Sequence, residues 1–155
     1  MSFQRVCNYI KRFDENLEPI QFQEQTNTVE EAARALGIEG AQIAKTILFK
    51  SNKRFGLFVT AGDVRVNSKK VKRLLGGGKP KLATPEEVKD ITGFQIGGVC
   101  PFALHTDVPV FLDESLKRFA VVYTAAGTAQ SVLPITFEKL RGITRGEVIN
   151  ARDAE

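Results

Sequence analysis

The sequence predicts an α/β protein: a single compact domain, residues 1–155, with a mixed, largely antiparallel sheet flanked by helices. A chain of 155 residues with 43% apolar side chains is long enough to bury one core without disulfides or metals. Helical and strand-like patterns alternate in the first half of the chain, whereas strand-like runs follow one another in the second half. That order argues against a purely parallel sheet.

The N-terminal region indicates a helix, a strand and a second helix. Apolar residues between positions 3 and 17 recur at three- and four-residue spacing, as on one stripe of an amphipathic helix. In residues 20–22, apolar side chains alternate with glutamine, which predicts a short strand. Thr28 and Glu31 have the spacing of a capping box, so the second helix should begin there and end at Gly37.

The middle of the chain indicates a β-hairpin followed by two helices. Residues 43–49 and 55–60 are rich in branched and aromatic side chains and are joined by a polar segment. A helix over residues 67–75 is followed by three glycines, which tolerate the left-handed conformation at a helix end. Another helix should begin at residues 84–87, where a capping residue, a proline and two carboxylates favour an N-terminus, and end at Gly93.

The remaining sequence is mostly strand-like. Residues 108–112, 119–124 and 131–135 are short β-like runs, and Thr136 is placed to cap a last short helix. The chain contains no internal repeat, linker or low-complexity segment, which supports the prediction of one domain.

Composition argues against several classes of protein. No stretch approaches the roughly 20 apolar residues of a membrane span, and an export signal is lacking, so we expect a cytoplasmic protein with no membrane partner. Cys7 and Cys100 lie far apart without Cys-x-x-Cys spacing, which suggests neither a disulfide framework nor a zinc site. His105 is the one histidine, and no Cys, Asp or Glu set around it has ligand spacing, so we expect no metal and no cofactor.

Basic residues cluster in one segment of a chain whose formal net charge is +4. Six of them fall within thirteen residues that contain no acidic residue: Lys69, Lys70, Lys72, Arg73, Lys79 and Lys81. A solvated helix face explains most short lysine runs, and contact with phosphates is the sharper alternative. The segment is not a Walker motif, because Arg73 stands in place of the first glycine and Pro80 in place of the Ser or Thr.

Lys45 is a candidate for chemistry. Strand alternation puts it on the same face as Ile43, Ile47 and Phe49, so its ammonium has apolar neighbours. One interpretation is an edge-strand lysine that extends to solvent and blocks aggregation. The other is a lysine that lines a pocket, where its charge could hold a phosphate or polarise an ester carbonyl.

Residues 97–101, with the sequence GGVCP, form a second candidate. Two glycines permit close backbone approach and could leave N–H groups free to stabilise an oxyanion, although an ordinary glycine turn is the alternative. The small residues 125–127 have the same two interpretations, a substrate entrance or a turn. Cys100 and His105 nominally offer a thiol and a base, but a lone cysteine is more often a packing residue.

Four segments carry a family resemblance: residues 44–48 (AKTIL), 97–102 (GGVCPF), 112–113 (LD) and 123–127 (YTAAG). In this order and spacing they resemble the landmarks of the YbaK/prolyl-tRNA editing domain family. The resemblance implies a compact mixed α/β fold with a pocket for the aminoacyl-adenosine end of a mischarged transfer RNA. It also implies hydrolysis of the ester between a wrong amino acid and the terminal ribose by water, without a protein nucleophile.

The same resemblance implies roles for individual residues. Lys45 would anchor the terminal nucleotide or the substrate backbone, and the N–H groups of Gly97 and Gly98 would face the ester carbonyl. The further substrate-binding positions that it implies are Thr46, Val99, Cys100, Pro101, Asp113 and Gly127. The cysteine-clearing branch has Gly-Gly-Ile-Ser-Pro in this loop, so the cysteine at its fourth position leaves the amino acid open.

Three functional hypotheses follow. The leading one is a free-standing trans-editing deacylase that acts on aminoacyl-tRNA, with proline tRNA carrying a wrong small amino acid as the expected substrate. Prolyl-tRNA synthetase is then a candidate partner, and the basic segment would contact tRNA phosphates. The alternatives are a non-catalytic nucleotide- or tRNA-binding module that regulates a synthetase, and a thiol hydrolase built on Cys100 and His105.

Overall fold

The structure, a computed structural model, describes residues 2–22 and 29–152. Its helices are α1 Ser2–Lys11, α2 Val29–Leu36, α3 Ser68–Leu74, α4 Pro85–Thr92 and α5 Phe137–Thr144. Two short 3-10 helices span Gly40–Gln42 and Glu114–Arg118. The strands are β1 Ile20–Gln21, β2 Lys45–Ser51, β3 Arg54–Thr60, β4 Pro80–Leu82, β5 Val110–Asp113, β6 Val122–Ala125, β7 Ser131–Ile135 and β8 Glu147–Ile149.

The strands form two sheets that are joined at one point. The smaller sheet has the order β1-β7-β6 and is antiparallel throughout. The larger has the order β4-β2-β3-β5-β8, with antiparallel pairing up to β3 and parallel pairing beyond it. A bridge between Ile43 and Tyr123 connects the sheets, and the Ala44 N–H donates to the Tyr123 carbonyl at 2.9 Å. The predicted α/β class with largely antiparallel pairing is confirmed.

Several predicted elements have different ends in the structure. The first helix ends at Lys11 and is followed by a turn in which Asp14 accepts the Asn16 N–H at 2.9 Å. The first hairpin strand begins at Lys45, since Ile43 is used in the bridge between the sheets. Thr28, half of the predicted capping box, lies outside the described residues. The short strands β4 and β8 were not predicted.

The larger sheet packs on both faces. On β3, Leu57 belongs to the main hydrophobic cluster, which also contains Val6 and Ile10 of α1. The next residue, Phe58, belongs to a second cluster with Val71 of α3, as alternation along a strand requires. Helices therefore cover both faces of this sheet. None of the helices in the described residues is long and apolar enough to cross a membrane.

The outer edge of β2 is covered at its two ends and open between them. At one end, β4 pairs with residues 49–51, and the Ala83 N–H donates to the Leu48 carbonyl at 3.0 Å. At the other end, Ala44 is bonded to the smaller sheet. Residues 45–47 pair with β3 on the inner side alone, among the strands that the structure describes. The chain topology thus leaves a gap between the two sheets.

Arg5 fixes α1 to the end of α4. Its guanidinium donates to the carbonyls of Thr92 at 3.0 Å and Gly93 at 3.4 Å, and it lies 4.2 Å from the centre of the Phe94 ring. A cation is favourable at a helix C-terminus, where unpaired carbonyls gather. This contact holds the start of the segment that leads to the glycine loop at residues 97–101.

Candidate functional site

A pocket of about 280 Å³ lies at the open edge of β2, between the two sheets and beside α2. Its walls are mostly small and aliphatic side chains. They come from Phe22, Ala32, Ile43, Ala44, Lys45, Thr46, Ile47, Gly97, Val99, Ala125, Ala129, Ser131 and Val132. Four residues that the sequence analysis selected, Lys45, Thr46, Gly97 and Val99, therefore meet in one cavity although about fifty positions separate the two pairs.

Lys45 supplies the charge of this pocket. It is half-buried at the first position of β2, opposite Thr60 of β3. Its ammonium has no ion-pair or hydrogen-bond partner among residues 2–22 and 29–152. A half-buried charge with apolar neighbours acts more strongly than one in water, because the local dielectric constant is lower. Lys45 is thus suited to hold a phosphate or to polarise a carbonyl group.

Thr46 lines the same pocket and carries a buried hydroxyl. Its Oγ1 is buried and has no hydrogen-bond partner in the described part of the chain. A buried polar group without a partner costs about 1–3 kcal/mol of stability. Because this oxygen has almost no accessible surface, a ligand in the pocket would bond to it only after the Thr46 side chain rotates.

The glycine loop contributes two residues to the pocket whose backbone N–H groups have no partner in the described chain. Gly97 has a φ of +96°, and a methyl group at its Cα would lie 3.6 Å from the Ala129 side chain. Within the described ranges, the N–H groups of Gly97 and Val99 make no hydrogen bond, whereas the Gly98 N–H donates to the Gln95 carbonyl at 3.0 Å. The prediction that paired Gly97 with Gly98 as donors is thus corrected: the turn itself occupies the Gly98 N–H. The free donors are those of Gly97 and Val99.

Gly98 and Gly127 allow neighbouring backbone segments to pack closely. A methyl group at Gly98 would lie 2.8 Å from the Gly127 carbonyl oxygen and from the Thr128 Cα. Gly127 has a φ of +98°, and its own added methyl group would lie 2.8 Å from the Ser2 carbonyl oxygen. The two glycines let the loop, the β6–β7 turn and the start of α1 approach one another. Both line a neighbouring groove rather than the pocket.

Cys100 and Pro101, predicted to bind substrate, are buried in the interior. The Cys100 side chain is 0% exposed, and its thiol donates to the Phe102 carbonyl at 3.7 Å. Burial raises the pKa of this thiol to about 12, so it stays protonated at neutral pH. His105 is exposed, and its Nε2 lies 2.9 Å from a guanidinium nitrogen of Arg5. No hydrogen bond joins Cys100 to His105 among the described residues.

Asp113 has a structural role. It is 1% exposed, and its carboxylate accepts N–H bonds from Ser115 and Ala151. The first bond caps the 3-10 helix Glu114–Arg118, and the second holds the chain after β8. The resemblance placed Asp113 in the substrate pocket, but an aspartate after a strand commonly caps the next segment, as it does here.

Five of the six predicted phosphate contacts are exposed: Lys69, Lys72, Arg73, Lys79 and Lys81. Lys70 is the exception, since it is 5% exposed and is buried on α3 beside Val71. That position is unsuited to contact a phosphate. Lys81 lies opposite Lys50 in the β2–β4 pairing, five residues along β2 from Lys45. At about 3.4 Å per residue, the basic segment begins roughly 17 Å from the pocket lysine.

Several pocket residues had no signal in the sequence. Ala32 comes from α2, while Ala129, Ser131 and Val132 come from the β6–β7 turn and from β7. None of them belongs to a chemical motif, and only tertiary packing brings them to β2. Within the described chain, no group of three or more His, Cys, Asp or Glu side chains is arranged to hold a metal ion.

Comparison with known proteins identifies relatives over most of the chain. The family model described as an aminoacyl-tRNA editing domain matches residues 23–143. The uncharacterized protein YwhH of Bacillus subtilis (strain 168) is 36% identical over 141 residues, which cover 90% of this chain and 89% of YwhH. The proline–tRNA ligase of Bacillus licheniformis is 35% identical over 130 residues, which cover 77% of this chain but 23% of the ligase.

A solved structure provides a third comparison. It is described as the crystal structure of a proposed trans-editing enzyme for prolyl tRNA synthetase. Its TM-score to this chain is 0.92 at 35% sequence identity, and the match covers 98% of this chain and 97% of that one. The chain thus spans nearly all of YwhH and of this solved structure, but about a quarter of the ligase.

Proposed function

This chain belongs to the aminoacyl-tRNA editing domain family, and on that premise we propose that it is an aminoacyl-tRNA deacylase. It hydrolyses the ester bond between a wrongly attached amino acid and the terminal ribose of a transfer RNA. Its substrate is proline tRNA that carries a wrong small amino acid, and it acts in trans, in the cytoplasm. The similarity to part of a proline–tRNA ligase and to nearly all of a proposed trans-editing enzyme supports this assignment.

One observation carries the proposal: a lysine and two backbone N–H groups, none of which has a partner in the described chain, belong to residues that meet at a small apolar pocket. Lys45 supplies the positive charge, and Gly97 and Val99 supply the N–H groups. Ester hydrolysis passes through a state in which the carbonyl oxygen becomes negatively charged. Donors that are already fixed in a pocket stabilise that charge without reorganising.

The chemistry needs no nucleophile from the protein. A water molecule adds to the ester carbonyl carbon, and the bond from that carbon to the ribose oxygen then breaks. The ribose oxygen takes up a proton, so that the products are a free amino acid and a transfer RNA with a free terminal hydroxyl. A ribose hydroxyl of the substrate can position the water, while Lys45 orients the substrate. Cys100 takes no part because its thiol is buried and protonated.

The size of the pocket favours a substrate whose amino acid has a small side chain. Its volume of about 280 Å³ is reduced by the methyl groups of Ala32, Ala44, Ala125 and Ala129. Each methylene of a substrate side chain changes binding by about 1–3 kcal/mol in a well-fitted apolar pocket. A short, uncharged side chain therefore fits, whereas a long one would displace pocket walls and a cationic one would meet the like charge of Lys45.

The basic segment extends the substrate contact beyond the pocket. We assign tRNA phosphate contacts to the exposed residues Lys69, Lys72, Arg73, Lys79 and Lys81. A transfer RNA is long enough to span the roughly 17 Å between this segment and Lys45, which is the distance along five residues of β2. Prolyl-tRNA synthetase is the candidate protein partner, because it produces the mischarged tRNA.

The decisive experiment is release of labelled amino acid from proline tRNA that is mischarged with alanine, cysteine or serine. Lys45→Ala should lower kcat/KM at least about 100-fold, the effect of losing one preorganised electrostatic group. Lys53→Ala is the matched control, since Lys53 is an exposed lysine in the β2–β3 turn, and it should stay within about threefold of wild type. Equal rates for wild type and Lys45→Ala would contradict the proposal.

Two other outcomes would favour the alternatives. Loss of activity in Cys100→Ala, with Lys45→Ala merely slowed, would favour a thiol hydrolase. Tight binding of tRNA without any turnover would favour a binding module that regulates a synthetase. The structure weighs against the thiol hydrolase, because reaching Cys100 would require the core to open.

A further inference from the structure

The pocket lies where two strands begin to pair and then separate. Ala44, just before β2, donates its N–H to the Tyr123 carbonyl of β6 at 2.9 Å, beside the parallel bridge between Ile43 and Tyr123. Beyond this point, β2 continues in the larger described sheet and β6 in the smaller one, and the two strands are not paired. Two strand edges therefore flank the gap between the sheets.

Thr46 directs the main-chain N–H and C=O of β2 into this gap. Successive residues of a strand direct these groups to opposite sides, so residues two apart share a side. On the outer side of β2, Ala44 donates to β6 and Leu48 accepts from Ala83. Thr46 lies midway between them and has the same orientation, but its main chain has no partner in the described ranges. All of residues 44–47 line the pocket, as expected where a strand presents its edge rather than one face.

Ala125 occupies the equivalent place on β6. The Tyr123 carbonyl points to β2, so the main chain of Ala125, two residues further on, points away from β7 and into the gap. Pro134, which lies opposite Tyr123 in β7, agrees with this orientation because proline has no N–H to donate. Ala125 lines the pocket, and no hydrogen bond crosses from it to β2 within the described chain.

These main-chain groups define the chemistry of a ligand. Main-chain donors and acceptors that border a cavity are bonded by water or by a ligand. The gap offers one carbonyl oxygen on each side, from Thr46 and Ala125, together with the Thr46 N–H. A ligand that replaces water there needs two N–H donors and an acceptor close together. An esterified α-amino acid carries them on adjacent carbon atoms, as its amino group and its ester carbonyl.

We propose that the unblocked α-amino group of the substrate binds across the gap and donates to the carbonyls of Thr46 and Ala125. The ester carbonyl accepts from the Thr46 N–H, so the amino acid pairs with β2 as one added strand residue would. A carbonyl oxygen has two lone pairs, so this bond leaves one for the glycine loop. The inference rests on the proposed function, and it narrows the substrate to esters of α-amino acids whose amino group is free.

The number of donors distinguishes this group from its analogues. A free amino group has at least two N–H donors, whereas an N-acylated amino group or an α-hydroxyl group has one. Only the free amino group can therefore bond to both carbonyls at once. An α-amino group has an ordinary pKa of about 7.7–8.0, so beside Lys45 it binds as the neutral amine, which keeps both donors and avoids two like charges.

Amide hydrogen exchange, followed by nuclear magnetic resonance, tests the orientation of the two strand edges. In the free protein, the N–H groups of Thr46 and Ala125 should exchange at least about tenfold faster than those of their neighbours Ile47 and Thr124, which face β3 and β7. These neighbours are the matched controls. Equal exchange at Thr46 and Ile47 would overturn the proposal.

A pair of stable ligands tests the amino group without the reaction. The probe is an adenosine analogue in which an amide, instead of the ester, joins alanine to the ribose, and its control carries lactic acid in place of alanine. The alanine compound should slow exchange at the Thr46 N–H, and it should bind at least about tenfold more tightly than the lactic acid compound. Equal affinities, or unchanged exchange at Thr46 when the alanine compound is bound, would overturn the proposal.

Three esters test the same requirement in the reaction. Proline tRNA is charged with alanine, and portions are converted to the lactyl and N-acetylalanyl forms, which differ from it at the amino group alone. Each kcat/KM is divided by the spontaneous hydrolysis rate of the same ester, because the amino group itself activates the ester. The corrected values for the two analogues should be at least about tenfold below that for alanine. A smaller difference would overturn the proposal.

The two proposals can fail separately. If the protein hydrolyses no ester but binds the alanine compound more tightly than the lactic acid compound, with slowed exchange at Thr46, the proposed function fails and the amino-group assignment holds. If it hydrolyses all three esters with equal corrected rates, the amino-group assignment fails and the proposed function holds.

Discussion

Thr46 has a buried hydroxyl whose cost to stability and whose value to binding can be measured separately. Its Oγ1 has no hydrogen-bond partner among the described residues. Thr46→Val replaces the hydroxyl by a methyl group of similar size, so the protein should unfold at equal or higher urea concentration, with a gain of up to about 1 kcal/mol. If the substrate bonds to this hydroxyl, kcat/KM for deacylation should fall about tenfold. A loss of stability above about 1 kcal/mol would show that Thr46 has a partner in the free protein.

Cys100 should make stability depend on alkaline pH. Burial raises the pKa of this thiol from 9.0 to about 12, so the unfolded chain loses the proton at a lower pH than the folded chain. The stabilisation is fully present below about pH 9 and declines as pH rises towards 12, by up to about 1.4 kcal/mol per pH unit. Urea unfolding between pH 8 and 10.5 should show a shallower decline in Cys100→Ala than in wild type.

Cys7 provides the matched control for this measurement. Desolvation also raises the pKa of its thiol, but Cys7 is only partly buried, so Cys7→Ala should change the slope less than Cys100→Ala. Parallel stability curves for wild type and Cys100→Ala would show that the thiol ionises as easily in the folded protein as in the unfolded chain.

The glycine loop and the β6–β7 turn form one packed unit. A methyl group at Gly98 would lie 2.8 Å from two backbone atoms of residues 127 and 128, so either the loop or the turn must move. Gly98→Ala should therefore lower stability by about 1–3 kcal/mol. It should also lower deacylation, because Gly97 and Val99 move with the loop, although the Gly98 N–H does not face the substrate. Thermal unfolding and kcat measure the two effects.

Gly142→Ala is the control for this prediction. Gly142 lies in α5 with no atom within 4 Å of its added methyl group, and alanine favours a helix by roughly 1 kcal/mol over glycine. This variant should be slightly more stable than wild type and fully active. Equal stability of Gly98→Ala and Gly142→Ala would show that the contact between loop and turn is looser than the structure indicates.

Elements that depend on near neighbours in sequence were predictable, and those that depend on distant pairing were not. The predicted Thr84 cap and the predicted end of α4 at Gly93 are present because they use atoms within a few residues, and Glu87 completes a capping box that was not predicted. The open edge of β2 depends on where β4 and Tyr123 attach, tens of residues away. Sequence alternation placed Lys45 among apolar neighbours, but only this pairing shows that the open edge borders a cavity.

The same distinction applies to the predicted site residues. Lys45, Thr46, Gly97 and Val99 follow local patterns on a strand and a loop, and the fold brings them together. The resemblance placed Cys100 among the substrate-binding positions, whereas the residue pattern favoured a packing role, and the fold buries the thiol completely. Burial is a property of the whole core and is not encoded in the spacing of neighbouring residues.

At the scale of the whole molecule, β2 connects the pocket lysine with the basic segment. The pocket holds a single lysine at the start of β2, and the exposed basic segment begins opposite Lys50, roughly 17 Å away at about 3.4 Å per strand residue. Lys50 itself is neutralised, since it forms an ion pair with Glu87 at 2.5 Å that lowers the pKa of that carboxylate. Along β2, the cations that remain for a long anionic ligand are therefore Lys45 at one end and the basic segment at the other.

This separation predicts that salt will affect binding and chemistry differently. The triple variant Lys69→Ala/Lys72→Ala/Lys81→Ala should bind tRNA more weakly, with a shallower dependence of log Kd on log salt concentration, because each lost phosphate contact lowers the slope by about 0.7–0.9. Its kcat at saturating tRNA should stay within about threefold of wild type, since the pocket is unchanged. A control variant, Arg12→Ala/Lys117→Ala/Arg141→Ala, removes the same charge from exposed positions elsewhere. If both variants change the slope equally, net charge rather than the basic segment attracts the tRNA, and the assignment of phosphate contacts to α3 and β4 is wrong.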